Sequence, residues 1–228
     1  MFTGIIEHLG TISRLETGPA GGRLTVQAPS LASNLAVSAS IAVNGCCLTI
    51  VHHDHEHFSA DLSPETLSKT SFPSLKPGAR VNLEQPLTAG WVPGSASANP
   101  GSNNEFGGHF VLGHVDATGR VAHLTQDGDS WLFGVQIPAD LAPYIISKGS
   151  ITVDGISLTV ARWHNHLAEI AVIPYTYDHT NIRDRAPGDP VNLEADILAK
   201  YVERYLHQRE SAGAAPPLRV EELIRQGF

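Results

Sequence analysis

Asn44-Gly45-Cys46-Cys47-Leu48-Thr49 returns at a fixed offset of 110 as Asp154-Gly155-Ile156-Ser157-Leu158-Thr159, and that recurrence decides the fold. Around it, residues 37–84 align on residues 147–194 without a gap, with 15 identities in 48 positions. Ser40-Ile41 falls on Ser150-Ile151, Pro64-x-Thr66 on Pro174-x-Thr176, and Pro77-Gly78 on Pro187-Gly188. Val81-Asn82-Leu83-Glu84 falls on Val191-Asn192-Leu193-Glu194. Nearer the start, Gly4, Gly10 and Leu15 match Gly113, Gly119 and Leu124 at offset 109. Each unit is longer than a solenoid repeat and long enough for a small core of its own. The expectation is two homologous domains, 1–90 and 107–195. They are joined by residues 91–106, whose Gly, Ser, Pro and Asn content reads as a flexible connection.

Within a unit the signals are mostly strand. Arg23-Leu24-Thr25-Val26-Gln27 alternates, as do residues 40–43 and 80–84. The polar run His53-Asp54-His55-Glu56-His57 sits between two apolar runs and reads as a hairpin tip. Ser63-Pro64-Glu65-Thr66 reads as a helix start, with Ser as N-cap and Pro in the first turn. Many short strands with turns at this spacing suggest an all-β fold of small barrels or sandwiches, one per repeat. Beyond the repeats the period changes. Ile197, Leu198, Tyr201, Val202, Tyr205 and Leu206 form a helical stripe opposite Lys200, Glu203, Arg204 and Gln208. A helix at 196–210 could lie across the barrels or pair with copies of itself. Residues 211–228 read as a flexible tail.

Composition narrows the function. Lys+Arg 15 against Asp+Glu 23 gives a formal charge of −8, so the clustered cations that bind nucleic acid are lacking. No apolar run is long enough to span a membrane and no signal peptide is read, so no membrane partner is expected. The two cysteines are adjacent and cannot staple 228 residues, which points to a reduced, cytoplasmic setting.

The opening Met1-Phe2-Thr3-Gly4-Ile5-Ile6-Glu7, the paired half-motifs at 44–49 and 154–159, and Gly107-Gly108-His109-Phe110-Val111-Leu112-Gly113-His114-Val115 together resemble the riboflavin synthase family, alpha-chain type. Pro64-Glu65-Thr66-Leu67 and Lys148-Gly149 complete the pattern, which covers about residues 1–208 in the right order. The resemblance implies two six-stranded Greek-key β-barrels in tandem and a C-terminal helix that gathers three chains into a homotrimer. It implies a transferase acting in riboflavin biosynthesis. Two molecules of 6,7-dimethyl-8-ribityllumazine exchange a four-carbon unit, giving riboflavin and 5-amino-6-ribitylaminouracil, with no cofactor. Each barrel would hold one lumazine, and the working site would form between the N-terminal domain of one chain and the C-terminal domain of another. Association with lumazine synthase is compatible with this reading.

Carried over residue by residue, Ser40, Cys47, His109, His114, Asp154 and Ser157 resemble positions that support catalysis. Gly4, Ile5, Ile6, Leu48 and Thr49 resemble substrate contacts, as do Asp61, Leu62, Ser63, Pro64, Glu65 and Thr66. Gly113, Val115, Lys148, Leu158 and Thr159 match in the same way, with Ala171, Val172, Ile173, Pro174, Tyr175 and Thr176 closing the second pocket. Cys47 itself, His114 and Ser157 count as contacts too. Cys47 or a water is the candidate nucleophile at C7 of one lumazine, with His109 or Ser157 moving protons.

The halves differ where the chemistry would sit. Cys47 is matched by Ser157, Ser38 by Lys148, Asn44 by Asp154 and Ile5 by His114. Tyr175 replaces the Glu that the family usually repeats in the second half. Simpler readings compete. Adjacent Cys46 and Cys47 could be small buried hydrophobes. His52, His53, His55 and His57 tempt a metal reading, but Arg162-Trp163-His164-Asn165-His166 keeps little of that pattern, so no metal is expected. The rival from another class is a non-catalytic lumazine or flavin carrier; such a carrier should have eroded Ser40, Cys47, His109 or Asp154.

Overall fold

A computed structural model describes residues 1–87 and 107–211. The connection expected at 91–106, and the tail expected at 211–228 apart from its first residue, lie outside the described residues.

The first half forms β1 (His8–Gly18), β2 (Gly21–Gln27), a short helix α1 (Pro29–Ala32), β3 (Ser40–Val43), β4 (Cys46–His53), β5 (His57–Leu62), α2 (Pro64–Lys69) and β6 (Arg80–Glu84). These strands close into an antiparallel barrel in the order β1-β2-β5-β4-β3-β6. The second half repeats it with β7 (Ala117–Asp127), β8 (Ser130–Gln136), β9 (Ser150–Val153), β10 (Ile156–His164), β11 (Leu167–Val172), α3 (Pro174–His179) and β12 (Pro190–Ala195). Its order, β7-β8-β11-β10-β9-β12, is the same closed ring. The expected pair of six-stranded barrels is therefore what forms.

Alternation fills each ring. Leu24, Val26, Phe58, Ala60, Ile41 and Ile50 point into the first, and Phe133, Val135, Ala168, Ile170, Ile151 and Val160 into the second. Bulges at Ile12/Arg14 and Ile50/His52 recur at Val121/His123 and Val160/Arg162, bending the strands so that the sheet can close. The helix start read at Ser63 is a true cap: its hydroxyl accepts from the Thr66 N–H at 3.0 Å.

The two barrels meet at the tips of the repeated hairpins. Asn44 and Gly45 have φ of +43° and +74°, and Asp154 and Gly155 +47° and +82°, so both residues of each tip are left-handed. That is the two-residue turn for which Asn-Gly and Asp-Gly are favoured. The tips pack backbone to backbone, and a Cβ on Gly45 would lie 2.6 Å from the Gly155 nitrogen.

Beside the tips runs a buried amide ladder of near two-fold symmetry. Asn82 N–H donates to Asn44 Oδ1 at 2.8 Å, and Asn192 N–H to Asp154 Oδ1 at 2.8 Å. The Asn82 amide donates to the Asp154 carbonyl at 2.9 Å, and the Asn192 amide to the Asn44 carbonyl at 2.8 Å. The symmetry breaks at two places: Arg185 donates to the buried Asp154 carboxylate, where the first half has neutral Leu75 and Asn44, and the Asn181 side chain bonds Asn82, Asn44 and Asp154, where the first half has Ser71.

The stripe beyond the repeats is helix α4 (Ile197–Ser211), a unit of its own, on which Leu198, Tyr201, Val202, Tyr205 and Leu206 are exposed. Among the described residues no helix is long and apolar enough to cross a membrane.

Candidate active site

Each barrel is preceded by a segment that crosses onto the other barrel. These two straps pair with one another first: Phe2 N–H donates to the Val111 carbonyl at 2.7 Å, and Val111 N–H returns to Phe2 at 3.2 Å. The first strap then runs to the second barrel, where the Gly4 carbonyl accepts from Ser157 N–H at 2.8 Å and Ile6 packs on the core. The second strap does the reverse. Gly113 accepts from Cys47 N–H at 2.8 Å, and Val115 packs on the first core. Gly4 and Gly113 share a φ of +79°, and a Cβ on either would sit 2.6 Å from the Cβ of Ser157 or Cys47. Only glycine allows both the backbone angle and the approach.

The residues expected from sequence therefore sort into two crossed clusters. Cys47, Leu48 and Thr49 on β4 meet Gly113, His114 and Val115; Ser157, Leu158 and Thr159 on β10 meet Gly4, Ile5 and Ile6. Thr49, Thr159, Ile5 and His114 are exposed, open to a ligand. Residues 61–66 and 171–176 form the strand-to-helix corners after β5 and β11. Ser40 stands half-buried beside Thr49 across the β3–β4 ladder. Lys148 is exposed in a left-handed turn (φ +69°), as is its counterpart Ser38 (φ +71°). Asp154 is different: its carboxylate is 98% buried and turned into the seam, where Arg185, Asn181 and the Asn192 N–H engage it.

The second cluster holds a three-residue relay. His109 Nδ1 lies 2.7 Å from Ser157 Oγ and its Nε2 lies 3.1 Å from Thr152 Oγ1. Burial lowers the His109 pKa, with nearby Asp196 pulling the other way, so the ring is neutral near pH 7. A neutral imidazole donates from one nitrogen and accepts at the other, so Thr152 and Ser157 together complete its hydrogen bonds. Thr152 escaped the sequence reading; it is buried on the outer face of β9, between the core residues Ile151 and Val153, and its one signal is a hydroxyl where the first half has Ala42. In the first half Ala42 and Cys47 stand at the matching positions, so the same relay cannot be built there.

The first cluster offers sulfur instead. Cys46 is buried and its thiol is pushed up to about 12, chiefly by desolvation, which leaves it inert. Cys47 is partly exposed beside Gly113. The rims differ as well. Arg23 and Asp61 pair at 2.6 Å on the first barrel, and Arg23 holds the Asp61 carboxyl below its usual range. On the second barrel Trp131 and Tyr177 stack at 3.8 Å where the first has Gly22 and Leu67, and Tyr175 stacks on His179 at 4.0 Å. Among the described residues no group of His, Cys, Asp and Glu is placed to hold a metal ion.

Comparisons with known proteins bear on the repeat and on the fold. The lumazine binding domain model matches twice, at residues 3–86 and 112–196. The chain is 37% identical to riboflavin synthase of Actinobacillus pleuropneumoniae over 228 residues, all of both chains. It is 40% identical to that of Mycobacterium tuberculosis over 210 residues, 90% of this chain and 98% of the relative. Among solved structures, LumP complexed with 6,7-dimethyl-8-(1'-D-ribityl)lumazine shares the fold, with a TM-score of 0.73 at 23% identity over 86% of this chain and 99% of that one.

Proposed function

The chain belongs to the riboflavin synthase family of lumazine-binding proteins, and from that premise we propose how its two unlike halves share the reaction. The activity is the dismutation of two 6,7-dimethyl-8-ribityllumazine molecules to riboflavin and 5-amino-6-ribitylaminouracil, a transferase reaction. The two substrates contain all the atoms and electrons of the two products, so no redox partner is called for.

The observation that carries the mechanism is the pair of crossed clusters, alike in backbone and unlike in chemistry. A reaction between two copies of one molecule suits two copies of one pocket, and holding them in register replaces a bimolecular encounter worth several kcal/mol. In the second pocket, neutral His109 takes a proton from the acidic C7 methyl of its lumazine, directly or through Ser157, with Thr152 holding the ring. In the first, Cys47 or a water that it orients adds to C7 of the acceptor lumazine. Thr49, Thr66, Thr159 and Thr176 supply short hydroxyl partners for the ribityl chains. Asp154 acts through the seam rather than at the substrate.

The same reading gives lumazine-binding domains at 1–90 and 107–195, and a helix at 196–210 whose exposed stripe assembles a homotrimer in the cytoplasm. One chain's first barrel then faces another chain's second. Light scattering at three times the chain mass tests the assembly, and co-purification tests association with lumazine synthase. The carrier reading is not favoured, since the full-length relatives are riboflavin synthases. The decisive experiment incubates the purified protein with the lumazine alone and follows riboflavin absorbance. Riboflavin at half the lumazine consumed supports the dismutation; tight binding without product overturns it.

A further inference from the structure

The repeated Val-Asn-Leu-Glu motif has no part in the reaction just described, yet its glutamates are buried against both straps. Glu84 Oε1 accepts from Thr3 N–H at 2.6 Å and from the Thr3 hydroxyl at 2.8 Å, and its Oε2 accepts from Gly4 N–H at 3.0 Å. Glu194 accepts from the N–H groups of Leu112 at 2.7 Å, Gly113 at 3.0 Å and His114 at 3.1 Å. Apart from these, the straps are tied to their own barrels by few backbone bonds. Glu7 N–H donates to Leu83 at 3.1 Å and Asp116 N–H to Leu193 at 2.8 Å. A carboxylate offers acceptors only, so it matches consecutive N–H groups as no amide could.

Resting on the function proposed above, we propose that Glu84 and Glu194 are crossed positioning residues: Glu84, on the first barrel, sets the strap that completes the second pocket, and Glu194 sets the strap that completes the first. Each glutamate belongs to one barrel by sequence and serves the other. Glu84 fixes Thr3 and Gly4, and through the Gly4 carbonyl the backbone of Ser157. Glu194 fixes Gly113, and through its carbonyl the backbone of Cys47. The arrangement occurs twice: each carboxylate takes two consecutive strap N–H groups, Thr3 and Gly4 or Leu112 and Gly113, and the third donor is the Thr3 hydroxyl on one side and the His114 N–H on the other.

The clamp on the second pocket has a pH dependence. Burial raises the Glu84 carboxyl to about 7 against the pull of its three hydrogen bonds, and Glu7 is the charged neighbour that adds to the rise. The ionised carboxyl accepts all three bonds. Protonation turns one oxygen into a donor and loosens the strap as the pH falls through about 7.

Hydrogen exchange read by mass spectrometry on the full-length protein tests the crossing without depending on turnover. Glu84→Gln is expected to speed exchange about tenfold in peptides covering residues 2–7 and 156–159, leaving 111–116 and 46–49 at wild-type rates. Glu194→Gln is expected to give the reverse pattern. In lumazine turnover, each variant should lose roughly tenfold to a hundredfold in kcat, and only Glu84→Gln should lose the inflection near pH 7. Thr3→Val, which removes one bond of the three, should reproduce the first pattern on a smaller scale should Glu84→Gln not fold. Equal disturbance of both straps by one variant, or an unchanged first strap in Glu84→Gln, overturns the proposal. A wild-type protein that makes no riboflavin overturns the functional reading instead, while the exchange pattern still decides the clamp.

Discussion

The two barrels share strand order, bulges, turn geometry, the left-handed angle of their strap glycines and the hydroxyls of Thr49 and Thr159, but they part at Cys47 against Ser157 and at Ala42 against Thr152. The first presents a thiol and an ion-paired rim. The second presents a His–Ser–Thr relay, a buried ion pair behind it and stacked aromatics at its edge. Under the function proposed above, the features common to both halves serve substrate recognition, which both need, and the side chains that differ at matched positions divide the labour between donor and acceptor. A duplicated pocket can diverge at a handful of side chains because the scaffold beneath them is fixed by burial and by glycine.

The largest effect that could break this comparison is on turnover. His109→Gln should lower kcat by about 10² to 10⁴, the usual range for a positioned acid–base group, while fluorescence titration still finds the lumazine bound. Cys47→Ser makes the halves alike at that position, and a comparable loss is expected if the thiol adds to C7. Unchanged turnover in Cys47→Ser and Cys47→Ala assigns the addition to water and shrinks the difference between the halves.

A second test converts the second half's seam into the first's. Asp154→Asn leaves Arg185 buried without its anion, and Arg185→Leu strands the carboxylate. Each should cost about 3–5 kcal/mol in denaturant unfolding. The double variant recreates the neutral Asn44/Leu75 arrangement and should return most of that loss. Failure of the double variant to recover would mean that the two seams are not interchangeable.

Third comes pH. Glu84 has a folded pKa raised from 4.5 to about 7, so its contribution to stability is complete below pH 4.5 and is lost as the pH rises through about 7. The difference amounts to about 3 kcal/mol. Measured against Glu84→Gln, the wild type should lose that margin between pH 4.5 and pH 8. The smallest effect belongs to the surface: Arg80 pairs with Asp184 across the barrels, both partly solvated, and Arg80→Ala should cost under about 1 kcal/mol and fade with salt.

Much of this was legible in the sequence. The fixed offset of 110 gave the duplication, alternation gave the strands, and Ser63-Pro64 gave the start of α2. The crossed straps were not legible. They join Gly4 to Ser157 and Gly113 to Cys47 through backbone atoms; the repeated glycines mark a close approach, but nothing in their identity says which residue they approach. Glu84 and Glu194 stood out as repeated letters, but their partners are N–H groups far away in the chain. Arg185 was hidden because its counterpart, Leu75, is apolar. Asp154 joined the catalytic set by resemblance, and only burial shows that its charge is directed into the seam.

The exchange of straps also bears on where such a chain could have come from. A single repeat of this design leaves its own cluster unfinished and extends a segment that fits only a second copy. Two such repeats, related by a two-fold axis passing between Gly45 and Gly155, would each complete the other as a strap-swapped homodimer. Fusing them end to end keeps every contact and removes the requirement that the copies be identical. Only after that fusion could one half keep a thiol while the other gained a histidine relay.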